Sequence, residues 1–174
     1  MGLATTMKLS ARRRMIALPL ATVLLLPTAR TPPALADPAG PLDLRIGAGA
    51  TRQFTHEELG RYPTTEVEVP TSEGGGTGRA RYAGVLLWTL LEAAGLAGMR
   101  GPDRVRQVIT VTGQDGYAAV LALGEIDPDL EGKQVIVATS ADGRPIGPGT
   151  LRLVVPGDRW GGRNVREVVR VEVR

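Results

Sequence analysis

From Gln107 onward the sequence is a succession of short apolar runs cut apart by turn residues, and this pattern constrains the fold more than any other feature. The runs are Gln107 to Thr112, Tyr117 to Leu123, Gln134 to Ala138, Leu151 to Val155 and Val169 to Arg174. Between them stand Asp115-Gly116, Asp127-Pro128, Asp142-Gly143 and Pro148-Gly149. Runs of this length, bounded by residues that favour tight turns, are expected to be strands. Two further strands are expected upstream. Leu42, Leu44 and Ile46 alternate with Asp43 and Arg45, and Val67 and Val69 flank Glu68 before Pro70, so each should bury one face.

Helix signals are fewer. Thr55 and Glu58 have the spacing of a capping box, and Phe54 and Leu59 sit where a hydrophobic staple needs them, which predicts a short helix that Pro63 stops. Ser72 to Gly78 reads as loop. Val85 to Ala94 reads as a second helix, apolar on nearly every side through Val85, Leu86, Leu87, Trp88, Leu90 and Leu91. Such a helix should lie between layers, with Trp88 in the core and Gly95 as its left-handed terminator. Strands outnumber helices and do not alternate with them regularly. We therefore expect one α+β domain with a mixed sheet and few short helices. The chain has no cysteine, so no disulfide can form and stability must come from a single core, which this length can supply.

Residues 1–36 read as a cleavable export signal. Lys8, Arg12, Arg13 and Arg14 form a basic front, Met15 to Leu26 is apolar, and Ala34-Leu35-Ala36 offers a small-residue cleavage site. The apolar run falls short of the ~20 residues that span a bilayer. The arginines faintly resemble a twin-arginine signal, but the strongly apolar run favours the ordinary secretory route. A periplasmic protein beginning at Asp37 is expected by either route. This leader holds five of the 21 basic residues and none of the 18 acidic ones, so the remainder is net −2. The high overall pI thus belongs to the leader and gives no argument for nucleic-acid binding.

Several chemistries are poorly served. The only histidine, His56, falls in the first turn of the capped helix and reads as a solvent-facing residue rather than a catalytic base. One histidine without cysteine cannot build a usual structural zinc cage. Asp127, Asp129 and Glu131 lack the graded pattern of a calcium loop and read as a solvated acidic turn. Gly74 to Gly78 lacks the lysine-threonine ending of a phosphate cradle and reads as loop. Trp160 is different, because a large aromatic within Asp158-Arg159-Trp160-Gly161-Gly162-Arg163 is hard to explain by packing alone.

Five segments, in order, are RYAGVLLWTLLEAAGL (Arg81 to Leu96), QDGYAAVLAL (Gln114 to Leu123), VIVATSADGRPI (Val135 to Ile146), LRLVVPGD (Leu151 to Asp158) and RWGGRNVREVVRVEV (Arg159 to Val173). Together they resemble the molybdopterin-binding domain of the sulfite oxidase family. The resemblance implies that family's fold and a pterin held at the last segment, where Arg163 and Arg166 stand in place of two lysines. Trp160 or Tyr117 would supply a stacking ring, Asp115 or Asp158 a carboxylate for the pterin edge, and Arg144, Arg163 or Arg166 the remaining polar contacts. The plainer alternative is that the Asp-Gly pairs are only turns and the arginines a solvated edge.

One departure matters most. The family's enzymes bind molybdenum through a cysteine thiolate, and the comparable stretch, Val69 to Gly76, reads VPTSEGGG. Oxygen-atom transfer is therefore not expected, and no protein-bound metal is expected. A short, exported, cysteine-free chain is more similar to small periplasmic pterin-binding proteins, which implies a reduced pterin or molybdopterin-like ligand. It also implies, as partner, the periplasmic region of a membrane-bound enzyme of cyclic di-GMP signalling. An oxidoreductase subunit with molybdenum held only by the cofactor's dithiolene, and a scaffold of the same fold without ligand, are the alternatives.

Overall fold

Strands dominate the described structure, a computed structural model that covers Gly2 and residues 40–70, 78–147 and 150–174. The expected leader (but for Gly2), most of the Ser72 to Gly78 loop and the Pro148-Gly149 turn lie outside these residues. Ten strands occur among the described residues: β1 (Leu42–Ile46), β2 (Arg52–Phe54), β3 (Thr64–Pro70), β4 (Arg79–Leu86), β5 (Val108–Gly113), β6 (Ala118–Ala122), β7 (Ile136–Ala141), β8 (Arg144–Pro145), β9 (Arg152–Val154) and β10 (Val168–Val173). Every strand read from the sequence is present, its ends within three residues. Four α-helices occur among the described residues, all one or two turns long: α1 (His56–Leu59), α2 (Leu87–Ala93), α3 (Gly101–Arg104) and α4 (Leu123–Ile126). None is long and apolar enough to cross a membrane.

The strands form two five-stranded sheets. In the first, the order is β2-β1-β10-β5-β6, with β1 and β10 parallel and the other pairs antiparallel. The chain's end thus returns beside its beginning, Leu44 opposite Val171 and Ile46 opposite Val173. The second sheet runs β3-β4-β7-β8, with β9 also pairing β7, all antiparallel. A mixed sheet and few helices are what the α+β expectation required.

Period-two alternation places the core. Leu42, Leu44, Ile109, Val111, Leu121, Val171 and Val173 of the first sheet join Val85, Val137 and Leu153 of the second in one cluster, closed by Leu87, Leu90 and Leu91 of α2 and by Leu123 and Ile126 of α4. The alternate residues of the second sheet, Val67, Val69, Tyr82, Ile136, Ala138 and Val154, form a smaller cluster. That sheet is buried on both faces, which explains why VIVA reads as a continuous apolar run.

The first helix follows its sequence signals. The Glu58 amide donates to Thr55 Oγ1 at 3.2 Å and the Thr55 amide to the Glu58 carboxylate at 2.9 Å, while Phe54 and Leu59 are both buried. Gly95 ends α2 at φ +110°, as expected. His56 is exposed.

Three expectations need correction. The expected helix begins two residues too early, because Val85 and Leu86 end a strand that was not expected: Arg79–Leu86 is β4, paired with β3 on one side and β7 on the other, and only Leu87–Ala93 is helical. Its alternation of Arg79 and Arg81 with Ala80 and Tyr82 is strand-like, but the unbroken apolar run from Val85 hides where the period changes. Gly84 makes this crossing possible, because a Cβ there would lie 2.1 Å from the Val137 carbonyl oxygen. Trp88, expected in the core, is only half-buried, since α2 buries Leu87, Leu90 and Leu91 and leaves Glu92 exposed.

Asp127 is likewise not part of a solvated turn. It is 2% exposed, and its Oδ2 accepts a hydrogen bond from Arg104 Nη1 at 3.1 Å while Oδ1 accepts from the Asp129 amide at 3.0 Å. A carboxylate is tolerated there because a guanidinium 23 residues away pairs with it.

Candidate functional site

The expected ligand segment lies where the β5–β6 turn meets the chain after β9. Asp115 Oδ1 accepts the Tyr117 amide hydrogen at 2.9 Å, the side-chain turn that Asp-Gly sequences favour, and Gly116 sits at φ +83°. The Gln114 amide donates to the Glu167 carbonyl at 2.9 Å. Close approach is again secured by glycine, since a Cβ on Gly113 would stand 2.5 Å from the Arg166 carbonyl oxygen. The Tyr117 hydroxyl then reaches across and donates to the Gly162 carbonyl. Asp115, Tyr117 and the Asp158 to Arg166 segment are thus neighbours.

Arg163 holds that segment in shape. It lies in a 3₁₀ turn, Gly161–Arg163, and its guanidinium forks onto Asp158, Nε to Oδ2 at 2.8 Å and Nη2 to Oδ1 at 2.5 Å. Its third nitrogen, Nη1, donates to Glu125 Oε2 at 2.9 Å. Glu125, on α4, also receives Lys133 Nζ at 3.1 Å and the Ala122 amide at 3.1 Å. The hydrogen bonds it donates to Asp158, helped by those to Glu125, hold Arg163 protonated well beyond the ordinary arginine range in spite of partial burial. Burial pushes the Glu125 carboxyl up, but hydrogen bonds from Arg163, the Ala122 amide and Lys133 outweigh it and hold it below the usual carboxylate range. Burial pulls Lys133 down, and its bonds to Glu125 and Glu131 more than restore it.

This clamp sorts the expected site residues. Asp158 and Arg163 are spent on each other and on Glu125. Trp160 is 73% exposed, and Tyr117 is also open to solvent. Arg166 is exposed beside them, and Arg159, exposed and next to Trp160, has no ion pair or hydrogen bond among the described residues. Arg144 stands on β8 of the second sheet opposite Ala141 and makes no hydrogen bond or ion pair with this cluster among the described residues. Sequence reasoning missed Glu125, because nothing local ties it to Arg163, 38 residues away.

An exposed indole, flanking guanidinium groups and the Asp115 carboxylate suit a flat, polar ligand with an anionic end. The residues do not suit a metal bound by thiolate, because the chain has no cysteine.

The family described as the oxidoreductase molybdopterin binding domain matches residues 42–174, and the chain belongs to that family. Among solved structures it is similar to the sulfane dehydrogenase SoxCD from Paracoccus pantotrophus, at 22% identity and a TM-score of 0.57, over 76% of this chain and 37% of that one. At that identity the likeness shows the fold, and the chain spans little more than a third of that protein's length. No curated protein matches the sequence.

Proposed function

We propose that the chain is an exported pterin-binding protein whose ligand lies against Trp160, on the turn that Arg163 clamps. One observation carries the reading: the largest exposed aromatic sits on a rigidly braced turn instead of in the core. Stacking on Trp160, with Asp115 facing the amino-pyrimidinone edge and Arg159 or Arg166 meeting the anionic end, would hold a reduced pterin or a molybdopterin-like ligand. Membership of the family supports a pterin-type ligand. On this reading the expected leader would make it a periplasmic reporter, and its partner, the periplasmic region of a membrane-bound enzyme of cyclic di-GMP signalling, rests on the resemblance to small periplasmic pterin-binding proteins alone. A second reading, an oxidoreductase subunit, is favoured by the likeness to a sulfane dehydrogenase. In that case molybdenum would be held by the cofactor's own dithiolene.

The test is the small molecule that copurifies with the chain from the periplasm. A blue-fluorescent oxidised pterin without metal is the expected outcome. Near-equimolar molybdenum after growth on molybdate overturns the reporter in favour of the oxidoreductase, and absence of any pterin overturns both.

A further inference from the structure

Trp88 and Arg104, the partner of buried Asp127, line one cleft. It has a volume of about 380 Å³ and is lined by Trp88, Glu92, Leu96, Ala97, Arg104, Pro128 and Asp129. That is within the usual size range of small-molecule sites. Trp88 and Glu92 are one helical turn apart on α2 and so share a face. The Arg104 guanidinium lies 5.7 Å from the Trp88 ring centre and pairs with buried Asp127 behind it, and its buried Nε has no hydrogen-bond partner.

Charge decides what would fit. Three carboxylates, Glu92, Asp127 and Asp129, stand against the single guanidinium of Arg104. Asp127 satisfies that guanidinium, while Asp129 touches it only at 3.6 Å, with its own side chain 82% exposed. Glu92 is exposed and has no partner among the described residues. The cleft therefore offers one unpaired carboxylate, Glu92, and one paired only loosely, Asp129, beside an apolar wall of Trp88, Leu96, Ala97 and Pro128. We propose that it is a second binding site, separate from the Trp160 turn, for a small organic cation: a primary amine or guanidine carried on an apolar body. The body would lie against the indole and Leu96, and the cationic head would donate to Glu92 and Asp129.

Phenethylamine is a suitable probe, with phenethyl alcohol and hydrocinnamate as neutral and anionic counterparts of similar shape. In the full chain carrying Trp160→Phe, indole emission reports Trp88 alone. Saturable quenching by the amine is expected, with the alcohol about tenfold weaker, the difference made by a charged hydrogen bond. In the exposed double variant Glu92→Gln, Asp129→Asn, the advantage of amine over alcohol should vanish while the melt stays like the parent's. Equal binding of amine and alcohol, an undiminished preference for the amine in the double variant, or no saturable binding of the amine overturns the proposal. Biopterin titration of the same double variant with Trp160 restored should match the parent, so the two sites succeed or fail independently.

Discussion

At the scale of single residues, exposure and partnership separate side chains that touch a ligand from those that hold the fold. Trp160 contributes little to packing at 73% exposure, so Trp160→Ala should leave the thermal melt unchanged. If its ring stacks on a pterin, affinity for biopterin should fall by ~0.5 to 1.5 kcal/mol beyond the lost area, read by titration. Unchanged affinity would move the ligand elsewhere. Asp127 is the opposite case. Asp127→Asn keeps an oxygen for the Asp129 amide but leaves Arg104 with only the loose 3.6 Å contact to exposed Asp129 as counter-charge. The expected loss is about 3 kcal/mol in urea unfolding, the lower end for a broken buried pair, because Arg104 remains 22% exposed and water can reach it.

At the scale of elements, α4 and the Asp158 to Arg163 turn act as one unit through Glu125. The Glu125 carboxyl titrates below its ordinary 4.5, so its contribution is complete above that value and disappears as pH falls through the lower folded-state value. Near neutral pH the clamp is closed and insensitive to pH. With Trp88→Phe leaving Trp160 as the sole indole, emission anisotropy should hold steady down to mildly acidic pH and then drop as the turn loosens. Glu125→Ala should show the loosened anisotropy at every pH, with Glu125→Gln between the two. A parent-like anisotropy in Glu125→Ala at neutral pH would show that Asp158 alone suffices. Arg163→Ala should also loosen the turn, and any loss of pterin affinity in it would come through Trp160's position.

At the scale of the whole molecule, the parallel pairing of β1 with β10 ties the start of the domain to its end. Export is the other property at this scale. If residues 1–36 are a cleaved signal, intact-mass measurement of the periplasmic form should give a chain beginning at Asp37. A mass that retains Met15 to Leu26, recovered with membranes, would overturn the assignment.

Local chemistry by itself determined seven of the ten described strands, the capping box at Thr55 and Glu58, the turn at Asp115-Gly116 and the terminator at Gly95. Each of these depends on residues a few positions apart, so their signals survive in a linear reading. Membership of the family was legible too, through five ordered segments. Only the tertiary structure decided that Arg79–Leu86 is a central strand, because its identity rests on β3 and β7 pairing with its two edges. It alone brought Arg104 to Asp127, which turned an apparently solvated acidic residue into a buried one. It alone brought Glu125 to Arg163, which converts an expected ligand contact into a brace. Charges that neutralise each other across 23 and 38 residues leave no local pattern, since the free energy that places them belongs to the folded pair and to neither residue alone.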